Sequence, residues 1–174
     1  MLRARWTEPA LPGCLDSGRI IEGGSMGVYG AARLGFTYPH IFGAVSMLSA
    51  GPLQEILKSS EAPIVGSANA QQVLDQTYGG DPEYFRALSP WELAKQYAAG
   101  SNNTLMLRIV VGINDPVHDY NQRFSEHLET LKISHTYQVL PNVGHSPQQL
   151  FAALSKSDEY WLFFRQYLET PRMP

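Results

Sequence analysis

The sequence predicts an α/β fold, a parallel sheet of about four strands with helices on both faces. Two observations carry this. Short apolar runs ending in Gly, Pro or Asn alternate with segments whose apolar residues recur at helical spacing. The succession strand, helix, strand, helix, strand, helix, strand, helix means a parallel sheet covered on both sides. At 174 residues, 44% hydrophobic and 17% charged, the chain reads as one globular domain, 1–174.

The elements follow in order. Residues 1–18, punctuated by Pro9, Pro12 and Gly13, read as irregular. Arg19-Ile-Ile-Glu-Gly-Gly is a short strand running into glycines. Ser25 to Phe36 is rich in Ala and Gly, with Met26, Tyr29 and Leu34 at helical spacing, and Tyr38-Pro39 closes it. Ala44 to Ser49 is a second strand, stopped by Gly51-Pro52. Residues 53–104 form a long helical connection, or a lid, without a convincing strand. Within it Ser89-Pro90-Trp91-Glu92 is a capping box with proline at the first helical position, and Gly100 follows the far end. Leu105 to Gly112 is a third strand, apolar enough to be buried on both faces. Roughly 120–131 is helical, with Tyr120, Phe124, Leu128 and Leu131 on one side. His135 to Pro141 makes a fourth strand. Helical pattern then runs to the C-terminus, where Tyr160, Phe163, Phe164, Tyr167 and Leu168 form an apolar face.

Composition excludes several classes. A net charge of −3 with scattered Lys and Arg offers no footprint for nucleic acid. No apolar run is long enough to span a bilayer, and the first residues lack the apolar core of a secretion signal. Cys14 is the sole cysteine, so an internal disulfide is ruled out. The histidines lack ligand spacing, and no metal or other cofactor is expected.

In parallel sheets chemistry gathers at the carboxyl ends of the strands. That rim should collect loops 23–27, 112–119 and 141–146. The first reads Gly23-Gly24-Ser25-Met26-Gly27 and fits G-x-S-x-G, a sharp turn that lifts a serine hydroxyl above the sheet. It also aims the Met26 backbone N–H, at a helix start, toward a developing oxyanion. The alternative for Ser25 is a plain helix N-cap. A serine needs a base, and His145 is the histidine that follows a strand end at this rim, before the cap Ser146-Pro147. His40 and His127 read as solvated surface, His135 opens a strand at the other end, and His118 is the rival. The orienting acid is Asp115 or Asp119. Asp119-Tyr-Asn-Gln122 resembles a capping box, which would occupy Asp119 and favours Asp115. The order Ser25, Asp115, His145 is the one found in α/β-hydrolases.

These residues resemble the esterase branch of the α/β-hydrolases, the group with S-formylglutathione hydrolases, small-acyl carboxylesterases and feruloyl-type esterases. The matching segments are Ile21-Glu-Gly-Gly-Ser-Met-Gly-Val-Tyr-Gly-Ala31, Tyr38 to Ala50, Leu88-Ser-Pro-Trp-Glu-Leu-Ala94, Val111-Gly-Ile-Asn-Asp115 with Asn121 and Phe124, and Leu140-Pro-Asn-Val-Gly-His145. The resemblance implies hydrolysis of a small-molecule ester or thioester through an acyl-serine on Ser25, without metal or organic cofactor. Two departures stand out. Val28 replaces a family glycine, and only 24 residues precede Ser25, where the family has several strands and a loop giving the second oxyanion N–H. The chain is therefore expected to be the C-terminal part of such a fold, with its first strand open for self-association. A prolyl-oligopeptidase-like peptidase shares the turn and the residue order, and a silent fragment or interaction module is the remaining alternative. Trp91, Tyr78, Tyr84 and Phe85 are candidates to line an acyl pocket; the alternative is that they pack the connection, which is the better reading for Trp91 on its amphipathic helix.

Overall fold

A computed structural model describes residues 19–51, 53–55, 57, 67–100 and 104–169. The expectations for residues 1–18, for Pro52 and for much of the lid segment lie outside these residues. Four strands alternate with seven helices among the described residues: β1 (Arg19–Gly24), α1 (Met26–Thr37), β2 (Phe42–Leu48), α2 (Ser67–Tyr78), α3 (Pro82–Ala87), α4 (Pro90–Ala99), β3 (Met106–Gly112), α5 (His118–Thr130), β4 (Thr136–Leu140), α6 (Pro147–Leu154) and α7 (Glu159–Glu169). The strands form one sheet in the order β1-β2-β3-β4, parallel throughout. The expected α/β class and strand count are what the chain adopts.

Alternation along the central strands divides the core. Val45 and Met47 of β2 and Leu107 and Ile109 of β3 meet Val28, Ala31, Ala32 and Phe36 of α1, Leu93 and Tyr97 of α4, and Phe124 and Leu128 of α5. Leu48, Val110 and Leu140 turn to the opposite face and meet Leu150 and Leu154 of α6. Ala44 packs there on Phe163 and Tyr167 of α7. Full burial of side chains this size contributes about 1.5–3 kcal/mol each, which is what makes β2 and β3 the spine. Val28 is completely buried in this core, so the departure from glycine is absorbed by packing.

Several local expectations need correction. Ser89 accepts the Glu92 N–H at 3.3 Å, but the reciprocal half of the capping box is missing: the Ser89 N–H goes to the Arg86 carbonyl and the Glu92 carboxylate to Lys95. The C-terminal helical pattern is two helices, broken at 155–158 where Asp158 takes a positive φ of 57°. Leu168 is 73% exposed and lies off the buried face that Phe163 and Tyr167 make. His127 is half-buried, its Nε2 3.1 Å from the Trp91 carbonyl and its ring against the Trp91 indole, so it joins α5 to α4.

Two glycines are compelled by close approach of backbone. A Cβ on Gly23 would stand 2.3 Å from the Gly27 carbonyl oxygen, and one on Gly112 would stand 2.1 Å from that of Val143. Gly30, exposed on α1, has open space around it. Gly112→Ala should therefore lower unfolding free energy by about 1–3 kcal/mol. Gly30→Ala should raise it by about 0.5–1 kcal/mol, because alanine restricts the unfolded chain and favours helix. Urea denaturation of both variants checks the pair.

Candidate active site

Strand β1 ends in two residues without side chains and turns directly into α1 at Ser25, which takes φ 51° and ψ −124°. That is a sparsely populated conformation for a residue with a Cβ, and such strain collects at functional positions. Three backbone bonds hold it. The Ser25 N–H donates to the Leu48 carbonyl at 2.9 Å, and the Ser25 carbonyl accepts from Val28 at 3.0 Å and Gly51 at 3.2 Å. Ser25 occupies the N-cap position yet makes no side-chain cap hydrogen bond. Its hydroxyl lies instead 2.8 Å from His145 Nε2.

The histidine loop is sewn to the acid loop. The Ile113 N–H donates to the Leu140 carbonyl at 3.0 Å and the Asn114 N–H to the Val143 carbonyl at 2.9 Å. On the far side, Ser146 caps α6 by accepting the Gln149 N–H at 3.4 Å, with Pro147 opening the helix. The Gln149 side chain reaches back to accept the Gly144 N–H at 3.0 Å. Both ends of the loop are thus anchored, and His145 is presented with its Nδ1 3.0 Å from each carboxylate oxygen of Asp115. The Asp115 side chain is fully buried and its Oδ1 also accepts the Val117 N–H at 2.9 Å. A buried carboxylate so held favours the His145 tautomer with its proton on Nδ1, leaving Nε2 to accept from the serine hydroxyl.

The premise used against Asp119 is overturned. Asp119 lies within the first turn of α5, the cap position falls at Val117 with no side-chain cap bond, and Asp119 faces His118 at 3.1 Å. What separates the two acids is distance to the imidazole of His145, which the sequence alone does not encode. His135 is engaged with Ser125 Oγ at 2.7 Å, away from the serine.

A cleft of about 310 Å³ opens over Ser25 and His145, walled by Leu48, Pro147, Leu150 and Phe151 with Glu22 at one side. None of Trp91, Tyr78, Tyr84 and Phe85 lines it. Tyr78 packs edge-on against Tyr84 and Phe85, and Trp91 packs edge-on against Phe124, so these aromatics consolidate the connection. The Met26 side chain is 76% exposed, at the start of α1.

Two groups of polar residues surround the site, the first known from the sequence only as part of a matching segment and the second not noticed there. Asn121, fully buried on α5, donates from Nδ2 to the carbonyls of Ala50 and Val117 at 2.8 Å and accepts the Ala50 N–H at 3.2 Å. It ties the loop after β2 to the start of α5, close to Gly51 and Ser25. The other group is Glu22, Ser46 and Arg108, hidden by their placement in strands that otherwise read as apolar. An isolated Arg within such a run is the signal that could have found them, because a buried guanidinium requires partners.

This fold is shared with solved esterase and hydrolase structures. No protein-family model matches the chain, and no curated protein matches it in sequence. Solved structures do match in fold. S-formylglutathione hydrolase (FrmB) from Staphylococcus aureus aligns over 86% of this chain and 52% of its own, with a TM-score of 0.57 at 18% identity. A ferulic acid esterase aligns over 86% and 50%, with a TM-score of 0.57 at 17% identity. A puromycin-hydrolyzing peptidase from Mycobacterium tuberculosis aligns over 91% of this chain but 24% of its own, with a TM-score of 0.62 at 18% identity. The chain therefore spans about half the length of the esterase structures that it resembles.

Replacing Asn121 with Ala would strand the N–H and carbonyl of Ala50 in a buried place. Thermal or urea unfolding should show a loss of about 1–3 kcal/mol.

Proposed function

We propose that the chain is a serine hydrolase acting on carboxylic ester or thioester bonds, with Ser25 as nucleophile, His145 as base and Asp115 as the orienting acid. The observation that carries this is the unbroken line of hydrogen bonds from Ser25 Oγ to His145 Nε2 and from His145 Nδ1 to Asp115, at 2.8 and 3.0 Å. The missing N-cap bond is a second support, because a strained N-terminal serine with no capping duty has another use for its hydroxyl.

In the proposed cycle His145 Nε2 takes the Ser25 proton as Oγ attacks the acyl carbon. The carbonyl oxygen becomes an oxyanion, received by the Met26 backbone N–H. Collapse breaks the bond to the leaving alcohol or thiol, which takes the proton back from His145. Water then attacks the acyl-serine with His145 again as base, releasing the acid and restoring Ser25. Asp115 keeps its charge throughout and holds the imidazole. No metal or cofactor enters this reading.

A fluorophosphonate probe tests the nucleophile directly. Ser25 should be labelled, and Ser25→Ala should abolish labelling; equal modification of both proteins would end the proposal.

The choice of acid has its own measurement. Asp115→Asn should slow labelling by roughly 10³–10⁴, as expected when the imidazole loses its orienting charge, whereas Asp119→Asn should stay within a few-fold of wild type. The puromycin-hydrolyzing peptidase keeps a peptidase reading in play. Turnover of p-nitrophenyl acetate without turnover of a proline amide favours the esterase. A folded protein with neither activity nor labelling would be a silent module.

A further inference from the structure

Three polar side chains form a row across the middle of the sheet. Glu22 on β1 is in register with Ser46 on β2, and Ser46 with Arg108 on β3. Ser46 donates to Glu22 Oε2 at 2.7 Å, and Arg108 donates from Nε to Ser46 Oγ at 2.8 Å and from Nη2 to Glu22 Oε2 at 3.1 Å. The remaining guanidinium nitrogen donates to the Tyr160 carbonyl at 3.0 Å, and the guanidinium lies 4.5–5.2 Å from the rings of Tyr160, Phe163 and Phe164. Tyr160 completes the circuit by donating its hydroxyl to Glu22 Oε1 at 2.8 Å. Burial and the Glu22 carboxylate push the Tyr160 phenol up to about 12, so it remains a donor at any physiological pH.

Stability alone does not account for such a row. Arg108 is 4% exposed and the Glu22 side chain 25%, and an ion pair that desolvates one partner is commonly no more stabilising than apolar residues of the same volume. Its placement suggests another role. Glu22 precedes Gly23-Gly24-Ser25 directly and borders the cleft above Ser25. Among the described residues β1, like β4, pairs with a strand on one side only, and the turn carrying the strained serine extends from it. Gly23 and Gly24 have no side chains with which to anchor it. Glu22 is the last residue before the turn that has a side chain, and Arg108, buried on the central strand β3, holds it.

We propose that Glu22 and Arg108 are positioning residues, a pair that fixes the β1 edge so that Ser25 Oγ stays within reach of His145. This rests on the serine hydrolase reading above. The test uses saturation kinetics of fluorophosphonate labelling, which separates the limiting rate from the half-saturating probe concentration, alongside melting temperature. Glu22→Gln leaves the buried Arg108 without its counter-charge, and Arg108→Met leaves Glu22 without its own, so each alone is expected to lower the melting temperature. The double variant Glu22→Gln, Arg108→Met removes both charges and should recover much of that loss. The proposal expects its limiting rate to remain at least about tenfold below wild type with the half-saturating concentration unchanged. Tyr160→Phe keeps the ring under Arg108 and removes one bond to Glu22, and should give a smaller fall in limiting rate without a folding defect. A limiting rate that recovers together with the melting temperature would overturn the proposal, as would a defect confined to the half-saturating concentration. Folded wild-type protein that is not labelled at Ser25 would instead remove the hydrolase reading, and this inference with it.

Discussion

Parallel pairing of β1, β2 and β3, in the register Gly23 to Met47 and Met47 to Ile109, is the constraint on which the site depends. Because all strands point one way, each carboxyl end opens at the same rim. The loops that follow β1, β3 and β4 then meet without any dedicated scaffold. Contacts between the loops convert that proximity into hydrogen-bonding distance. Gly23 lets β1 touch the start of α1, and Gly112 lets β3 touch the histidine loop at Val143. A methyl group at either place would drive apart segments that must lie within an ångström or so of their present positions.

Around this rim the molecule combines strain with support. Ser25 is held in a conformation that side chains avoid, and the hydrogen bonds from Leu48, Val28 and Gly51 over-determine it. Asn121 braces the loop that contains Gly51, while Ser146 and Gln149 fasten the loop that contains His145. The same economy appears across the sheet, where Arg108 links three strands to the first turn of α7.

Much of the site was legible in the residues themselves. Gly-x-Ser-x-Gly after a strand and before a small-residue helix, and His145 before Ser146-Pro147, are local patterns whose geometry follows from turn and cap chemistry. The carboxylate that faces His145 was legible only as one of two candidates. Asp119 was set aside because it looked like a cap, and it caps nothing. Local pattern could not measure how far each carboxylate would lie from an imidazole about thirty residues downstream. Glu22, Ser46 and Arg108 escaped notice for a related reason, since residues from three strands become neighbours only when the register is known. His127 was misread as solvated because its partner, the Trp91 carbonyl, belongs to another helix.

The sequence by itself determined the succession of strands and helices, the parallel sheet and the identity of the rim residues, because periodicity, glycine and proline act within a few residues of where they stand. Tertiary structure alone decided which carboxylate meets His145, that the hydroxyl of Ser25 leaves its helix to face an imidazole, and that an arginine can lie inside the sheet. Those outcomes depend on distances between segments far apart along the chain, and such distances exist only once the layers have packed.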